Sequence, residues 1–456
     1  MKDDQIASRG SSAASNSSAS SNPSATSAPS ATSTPRKTTN QMKYIDRLLQ
    51  GAPVEWRPLG EVGEFSRGSG LQKKDFTTEG VGCIHYGQIY THYGTFAFET
   101  KTFVSEEFAQ KARKAQCGDL VIATTSENDE DLCKAVAWLG KDEVVVSSDA
   151  CFYTHKMAPK YVSYFFQSTH FQKQKRAFIT GTKVRRVNAK DLAKIEIPIP
   201  PVAVQEEVVR ILDKFTALEA ELEAELYCRK RQYQYYRDAL LTFDLSPSDG
   251  LCHSSLFSVP FAVEWHSLGE VFKMRNGYTP SKSNPAYWEG GTIPWFRMED
   301  LRTSGRILED SIQHITPEAV KGKGLFKAGS ILMATTATIG EHALLIADSL
   351  ANQRFTNFAI RESLMGVVTP MFAYYYFFLI CEWCKRNVYE SSFPSVDMKN
   401  LRKVRFPIPP LAVQERIVEI LDKFDTLVNS ISEGLPREIE LRRKQYEYYR
   451  DALLSF

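Results

Sequence analysis

The chain has 456 residues, of which 43% are hydrophobic, and a formal net charge of only +2. A chain of this length is expected to form two to four domains. Because its net charge is close to zero, the overall charge does not indicate any class of binding partner. The longest apolar run, residues 371–384, is shorter than the roughly 20 residues that span a bilayer and contains Glu382. We therefore expect a soluble protein without a membrane partner.

The start of the chain differs in composition from the rest, because it consists mostly of Ser, Ala, Thr, Asn and Pro. Such a segment buries too little apolar surface to offset its ordering entropy, so residues 1–40 are predicted to be a disordered head. It also lacks the apolar stretch of a secretory signal. Of the eight cysteines, only Cys381 and Cys384 form a C-x-x-C pair, and no second pair or nearby histidines follow to complete a zinc site. This favours free thiols in a reducing cytoplasm.

Beyond the head, the chain is a long-period repeat. Residues 197–206 (IPIPPVAVQE) return as 406–415 (FPIPPLAVQE), and residues 232–243 (QYQYYRDALLTF) return as 445–456 (QYEYYRDALLSF). A period above 200 residues is too long for a solenoid, so each copy is expected to be a domain plus a connector. Residues 44–49 (YIDRLL) echo residues 236–241 (YRDALL), so the segment 41–54 is predicted to be an N-terminal helix fragment of the repeat. This echo predicts a circular arrangement in which the two ends of the chain lie near each other.

Each copy begins with a predicted mixed α/β globule, the first globule at residues 55–196 and the second globule at residues 264–405. Both start with Glu-Trp followed by Leu-Gly-Glu-Val, and both contain a β-rich run, at 120–125 and at 331–336. Irregular spacing with many Gly and Pro residues predicts a twisted sheet with long loops. Residues 244–263 are expected to link the first copy to the second.

Long helices are predicted to follow the globules, at residues 197–243 and 406–456. Apolar residues at steps of 3, 4, 3 and 4 give both helices a 3.5-residue period, which predicts coiled-coil seams that pair with each other; the seam residues are Val208, Ile211, Phe215, Leu218 and Leu222, and Ile417, Ile420, Phe424, Leu427 and Ile431. The first helix contains a near-tandem tetrapeptide at 217–226. The second has Gly434 and Pro436 instead, which predict a break.

The sequence lacks the common motifs of catalysis. It has no G-x-x-x-x-G-K-[ST] phosphate loop and no H-E-x-x-H metal motif. Asp397 and Lys399 have the D-x-K spacing of nucleases. The matching position of the first copy is Asn188, which cannot supply the acid, so this spacing is a weak argument for a nuclease.

Both globules contain basic runs and loops that are dense in amide and hydroxyl side chains. Such side chains pair with base edges and grip phosphates, and their recurrence at equivalent places of a repeat favours a polyanion as partner. The candidate DNA-contacting residues are Tyr86, Gln88, Lys173, Lys175, Arg176, Lys183, Arg185, Arg186 and Lys190 in the first globule, and Ser281, Lys282, Arg297, Gln353, Arg354, Lys399 and Arg402 in the second.

At this point the chain resembles the specificity subunit of type I restriction-modification enzymes over residues 44–456. The resemblance rests on the EW..LGEV segments, on TPSKSNPAYWEGGTIPW at 279–295, on the two PIPP.AVQE segments and on QYxYYRDALL. The tetrapeptide in the first helix is similar to the spacer repeat of the type IC subgroup.

This resemblance implies an α+β protein in which two target recognition globules alternate with two long helices, paired as an antiparallel coiled coil with pseudo-twofold symmetry. Each globule would read one half of a bipartite, asymmetric sequence in double-stranded DNA. The chain would be non-catalytic and without a cofactor of its own. Two methyltransferase subunits with S-adenosylmethionine would methylate adenine, and two restriction subunits would use ATP and magnesium.

Two other classes of function fit parts of the sequence. A protein–protein scaffold with a coiled-coil spacer explains the repeat and the missing active site, but it does not explain why basic, amide-rich loops recur. A nuclease or methyltransferase that acts alone is the weaker alternative. Co-purification with a methyltransferase and sequence-dependent retention of DNA would favour the specificity subunit.

Overall fold

The computed structural model describes residues 45–253, 257, 259–389, 394–430 and 432–456. The predicted disordered head and the seam residue Ile431 therefore lie outside the described residues. The chain divides after Pro53 into two units. Helix α1, described at residues 45–49, belongs to the first unit, and all further elements belong to the second, Val54–Phe456.

The first globule is built on a five-stranded and a four-stranded sheet. Its strands are β1 (Glu55–Pro58), β2 (Gly63–Arg67), β3 (Val81–Ile84), β4 (Phe96–Ala97), β5 (Thr102–Val104), β6 (Lys114–Ala115), β7 (Leu120–Ala123), β8 (Thr125–Ser126), β9 (Ala135–Trp138), β10 (Val144–Val146), β11 (Ala150–His155), β12 (Arg185–Arg186) and β13 (Glu196–Ile199). Its helices are α2 (Leu59–Val62), α3 (Tyr86–Thr91), α4 (Glu106–Lys111), α5 (Pro159–Gln167), α6 (Thr169–Lys175) and α7 (Ala189–Leu192).

The strand order of the larger sheet is β2–β11–β7–β9–β4, and that of the smaller is β5–β3–β10–β6. Strands β7, β9 and β10 are wholly buried and apolar, as expected where both faces of a strand are covered. Strand β1 pairs antiparallel with β13, so the beginning and the end of the globule meet. Helix α8 (Val202–Leu241) follows directly and runs for 40 residues.

The second globule repeats this plan. Its strands are β14 (Glu264–Ser267), β15 (Phe272–Asn276), β16 (Ile293–Phe296), β17 (Ile307–Leu308), β18 (His314–Ile315), β19 (Ile331–Ala334), β20 (His342–Leu345), β21 (Leu350–Ala351), β22 (Phe355–Ile360), β23 (Val388–Tyr389), β24 (Ser395–Val396) and β25 (Arg405–Ile408). Its helices are α9 (Leu268–Val271), α10 (Met298–Ser304), α11 (Pro370–Arg386) and α12 (Met398–Leu401). The larger sheet has the order β15–β22–β19–β20–β17, and β14 pairs with β25.

The chain ends in two consecutive helices, α13 (Leu411–Asn429) and α14 (Gly434–Leu453). The predicted break is present, and Gly434 adopts a positive φ of 74°, a conformation that favours glycine. Pro436 lies in the first turn of α14, where its missing N–H removes no helical hydrogen bond. The predicted mixed α/β class, with two sheet-rich parts and long helices, is confirmed.

Helix α8 packs antiparallel against α13 and α14. Near its start, the ring of Phe215 stacks on Tyr449 with centroids 5.3 Å apart. Near its end, Tyr236 stacks on Phe424 at 5.6 Å. Between these contacts, Arg443 forms ion pairs with two glutamates of α8. The two seams therefore lie against each other, but of their described residues only Val208 and Ile417 are buried and the others are half-buried. Each aromatic contact has a counterpart at the other end of the pair.

Both globules are fastened to the helices by matching contacts. Tyr164 donates a hydrogen bond to Asp213 of α8 at 2.7 Å, and Tyr375 donates one to Asp422 of α13 at 2.5 Å. Because these aspartates lie at the same position of the repeat, each globule is held at the same place on its own helix. In the described part of the chain, no helix is both long and apolar enough to cross a membrane.

Candidate nucleic-acid interface

In the first globule, several strands end on the same side. The last residues of β2 and β7 both face the beginning of β11, because both strands pair antiparallel with it. Strands β3 and β10 run parallel, with Ile84 opposite Val146. The loops that follow these four strands are therefore neighbours at one edge of the two sheets.

Hydrogen bonds join these loops into a continuous surface. The N–H of Tyr86 donates to Ser147 Oγ at 2.9 Å, that of Thr124 donates to Asp149 O at 3.0 Å, and Arg67 Nε donates to Ser148 O at 3.1 Å. We name residues 67–70, 85–86, 124–126 and 147–149 the first loop surface. The candidate Tyr86 lies within it, half-buried.

The basic strand β12 lies at the border of the first loop surface, because Arg186 pairs with Thr125 of β8. Arg186 and Lys183 are exposed. Arg185, in contrast, forms a 3.0 Å ion pair with Asp129 and donates to Gly181 O at 2.7 Å. An acidic loop that is distant in the sequence thus neutralises part of the basic run.

Two candidates of the first globule are contradicted by the structure, and the first is Lys175. It is 1% exposed, and its Nζ donates to Asp129 O and Leu132 O, both at 2.7 Å. Burial lowers the pKa of this ammonium group, and the nearby Cys133 thiol is the largest influence that raises it. Lys175 therefore holds a turn together and cannot reach a phosphate.

The second incorrect candidate is Gln88, which was expected in a loop. It is 9% exposed and lies in α3, where its Oε1 accepts from His85 N at 2.9 Å and its Nε2 donates to Thr102 Oγ1 at 2.9 Å. This arrangement is a capping box at the helix N-terminus. The amide is used within the globule and is not available to a base.

The second globule forms an equivalent surface from the loops after β15, β16, β19 and β21. Tyr278 N donates to Ala351 O at 2.8 Å, Thr279 Oγ1 donates to Gln353 Oε1 at 2.6 Å, and Thr335 N donates to Arg354 O at 2.9 Å. We name residues 277–282, 297, 335–337 and 352–354 the second loop surface.

Five candidates come together on the second loop surface, and four of them are exposed: Ser281, Lys282, Gln353 and Arg354. The fifth, Arg297, is half-buried and forms a 2.9 Å ion pair with Glu299. Here the loops chosen from the sequence are also neighbours in space. Whether these side chains contact DNA stays a prediction.

The remaining candidates lie beside or away from the loop surfaces. Lys190 and Lys399 are exposed on α7 and α12, which begin just after Val187 and Val396; these two valines donate backbone hydrogen bonds to Thr124 and Thr335. Arg402 is exposed, but its carbonyl oxygen accepts from Gly269, at the opposite end of β15 from the second loop surface.

Lys173 and Arg176 are exposed on either side of the buried Lys175. No hydrogen bond places them at the first loop surface, in the part of the chain that the structure describes. Their contribution to DNA binding therefore stays a prediction as well.

Sequence reasoning missed part of the first loop surface, namely Arg67, His85 and the turn 147–149. The His85 ring lies 4.6 Å from that of Tyr86, and its Nδ1 accepts from Gly87 N at 3.2 Å. Burial lowers its pKa, and Lys73 adds to the effect while Asp149 opposes it. The signal for the turn was present in the repeat, because 147–149 is the counterpart of the candidate segment 352–354.

The described residues contain no group of three or more His, Cys, Asp or Glu side chains that could hold a metal ion. The D-x-K spacing at Asp397 has a structural explanation. Its carboxylate accepts from the N–H groups of Lys399 and Asn400 at 3.0 Å and from Tyr389 Oη at 2.7 Å. These hydrogen bonds, that of Asn400 first, lower the pKa of the carboxyl group. Asp397 caps α12 and has no geometry of a nuclease site.

The molecule is thus a duplicated α/β protein that carries two loop surfaces on a pair of helical segments. A model of the family "Type I restriction modification DNA specificity domain" matches residues 53–227 and 262–441, which is more than half of the chain. The chain belongs to this family, and the resemblance stated from the sequence is confirmed. The assignment to the type IC subgroup stays a prediction.

Two curated relatives come from Escherichia coli. The chain is 36% identical to the EcoR124I/EcoR124II specificity subunit over 440 residues, which cover 91% of this chain and 98% of the relative. It is 51% identical to the EcoprrI specificity subunit over 201 residues, which cover 42% of this chain and 50% of the relative. A chain in a solved structure of a type I R-M system shares the fold, with a TM-score of 0.60, 21% identity and coverage of 88% and 98%.

Proposed function

We propose that this chain is the sequence-reading subunit of a type I restriction-modification complex. Each loop surface reads one half of a bipartite, asymmetric target in double-stranded DNA, and the chain itself is non-catalytic. The observation that carries this proposal is the pair of loop surfaces, which lie on five-stranded sheets of the same strand order and share several joining backbone hydrogen bonds but differ in their side chains. Two loop surfaces with the same backbone arrangement but different side chains can recognise two different base sequences.

The helix pair sets the distance between the half-sites. The matching anchors at Asp213 and Asp422, and the reciprocal stacking of Phe215 and Phe424, support a pseudo-twofold arrangement of the two globules. The echo of the helical repeat at residues 41–54 supports a circular arrangement. Two readers on one stiff spacer bind as a linked pair, so that modest affinities multiply through a high effective concentration.

Catalysis belongs to partner subunits in this proposal. Two methyltransferase subunits with S-adenosylmethionine would methylate adenine, and two restriction subunits with ATP and magnesium would cleave unmodified DNA. The relatives support this assignment, because they are specificity subunits of type I restriction enzymes. The tandem tetrapeptide supports the type IC subgroup.

The test is to purify the chain with its methyltransferase subunit and to methylate a DNA library with randomised sequence. Sequencing of the methylated adenines should return two different half-sites at a fixed spacing. A matched complex that carries Lys327→Gln should return the same target, since Lys327 lies before β19, at the opposite end from the second loop surface. Retention of the partner without sequence-dependent methylation would favour the protein scaffold instead.

A further inference from the structure

One short turn has the same backbone in both globules but carries opposite charges. It comprises residues 147–149 between β10 and β11, and residues 352–354 between β21 and β22. Its sequence is Ser-Ser-Asp in the first globule and Asn-Gln-Arg in the second. The turn lies at the centre of each loop surface, since the loops after the other strands bond to it.

The backbone hydrogen bonds of the turn match one by one. Its first residue donates to the last residue of the neighbouring strand at 3.1 Å in both globules, from Ser147 to Ile84 and from Asn352 to Phe296. Its third residue accepts from a threonine, at 3.0 Å for Asp149 and 2.9 Å for Arg354. The turn therefore presents its third side chain from the same place in each frame.

Glycine in the preceding loop makes this geometry possible. A Cβ atom added to Gly68 would lie 2.2 Å from Ser147 O, and one added to Gly277 would lie 2.3 Å from Asn352 O. Both distances are far below those that real side chains adopt. The close approach of the two loops is thus built into both globules and does not depend on the side chains of the turn.

The third side chains of the turn are free to act. Asp149 is half-buried and Arg354 is exposed. Neither side chain has a hydrogen-bond or ion-pair partner among the described residues, and the one interaction of the Asp149 carboxylate described above is electrostatic, with His85. A carboxylate only accepts hydrogen bonds and a guanidinium only donates them. In the major groove, Arg pairs with the N7 and O6 acceptors of guanine, and Asp accepts from the N4 amino group of cytosine.

We propose that the third residue of this turn is a specificity-determining residue in each globule: Arg354 selects guanine in one half-site and Asp149 selects cytosine in the other. This inference rests on the proposed function and assigns one recognised base to one residue in each globule. A carboxylate near the phosphates of DNA is repelled by them, so an aspartate at this place is better explained by base recognition than by affinity.

The test uses the reconstituted methyltransferase complex and the randomised DNA library, with Arg354→Gln and Asp149→Asn as variants. Gln and Asn pair with adenine. Arg354→Gln should therefore change one guanine of one half-site towards adenine, and Asp149→Asn should change one cytosine of the other half-site towards adenine. The preference for the original base should fall on the order of ten- to a hundredfold at that position.

Lys327→Gln is the matched control for Arg354→Gln because it also removes a positive charge, and Glu143→Gln is the control for Asp149→Asn because it also removes a negative charge. Lys327 lies before β19 and Glu143 before β10, each at the opposite end of its strand from the turn. Both should leave the target unchanged. A uniform loss of methylation at all sequences would make Arg354 a phosphate contact, and an unchanged target would remove the turn from the DNA surface; either result overturns the inference. If the unaltered complex shows no bipartite target, the proposed function fails first.

Discussion

The tandem tetrapeptide of α8 offers a direct test of the helix pair as a ruler. Residues 219–226 read Glu-Ala-Glu-Leu twice. They lie between Phe215, which stacks on Tyr449, and Tyr236, which stacks on Phe424. Insertion of a third copy after Leu226 would move these two contacts apart, and with them the two globules that are anchored nearby.

The size of the change follows from helix geometry. Four residues add about 6 Å and about 400° of rotation, which is a net turn of about 40°. One base pair of DNA adds about 3.4 Å and, at 10–10.5 pairs per turn, about 35°. Two base pairs would need about 70°. Since each loop surface must keep facing its groove, the rotation selects a target whose spacer is longer by about one base pair.

The excess length of about 2.6 Å over one base pair can be absorbed in the partner helices. The contacts of Arg443 with Glu219 and of Phe424 with Tyr236 place the break before Gly434 opposite the α8 residues that follow the tetrapeptides. A four-residue insertion into a 3.5-residue seam also causes only a local change of supercoil. The insertion is therefore expected to fold and to shift the target.

The assay is the methylation map of the reconstituted complex, with a length-neutral Ala220→Ser variant as the control. The insertion should preserve both half-sites and lengthen the gap between them, whereas the control should change neither. An insertion variant that methylates the original target with the original spacing would refute the ruler. Loss of both half-sites would mean instead that the helices contribute to reading.

Three further predictions concern charge and burial. Replacing Lys183 and Arg186 by Gln should weaken DNA binding and reduce the slope of log affinity against log salt by about 0.9 for each phosphate that is no longer neutralised; an unchanged slope would remove them from the interface. Lys175→Met should leave that slope unchanged but lower the midpoint of thermal unfolding, because the carbonyl groups of Asp129 and Leu132 lose their hydrogen-bond donor. An unsatisfied buried carbonyl group costs about 1–3 kcal/mol of stability. Equal midpoints for the variant and the original protein would contradict this role of Lys175. Burial lowers the pKa of the His342 ring to about 3, from an ordinary value of 6.5. Between these two pH values the unfolded chain binds a proton at His342 that the folded chain does not bind. The free energy of unfolding is therefore highest above about pH 6.5 and falls by about 1.4 kcal/mol per pH unit towards pH 3. His342→Gln should flatten this part of the pH profile of unfolding, whereas the same change at the exposed His253 should not.

The helices could be predicted from the sequence because their signals are local. The 3.5-residue period identifies the seams, and Gly434 with Pro436 identifies the break. The error at Lys175 arose from counting charges without applying the helical period. Lys175 follows Phe171 by four residues, so both lie on one face of α6, and that face is buried.

The loop surfaces could be predicted only in part, because they depend on the order of strands in the sheets. Nothing local to Arg185 predicts that Asp129 will lie beside it, since the pairing of β12 with β8 brings them together. Gln88 could have been recognised, because a Gln at the third position of a helix is typical of a capping box. That interpretation requires a helix at 86–91, which the loop-like composition of this segment did not suggest.

The repeated contacts also explain how two different half-sites can be read without loss of the fold. The hydrogen bonds that the turns at 147–149 and 352–354 have in common join backbone groups, and the glycines beside them are the same in both globules. A change of the third side chain of the turn, Asp149 or Arg354, therefore leaves these shared supports intact. The contacts to the helices, in contrast, use side chains such as Tyr164, Asp213, Tyr375 and Asp422, where substitution would leave buried partners without hydrogen bonds. The contacts that hold the helices and their anchors therefore limit substitution there, while the side chains of the two loop surfaces can differ between the globules.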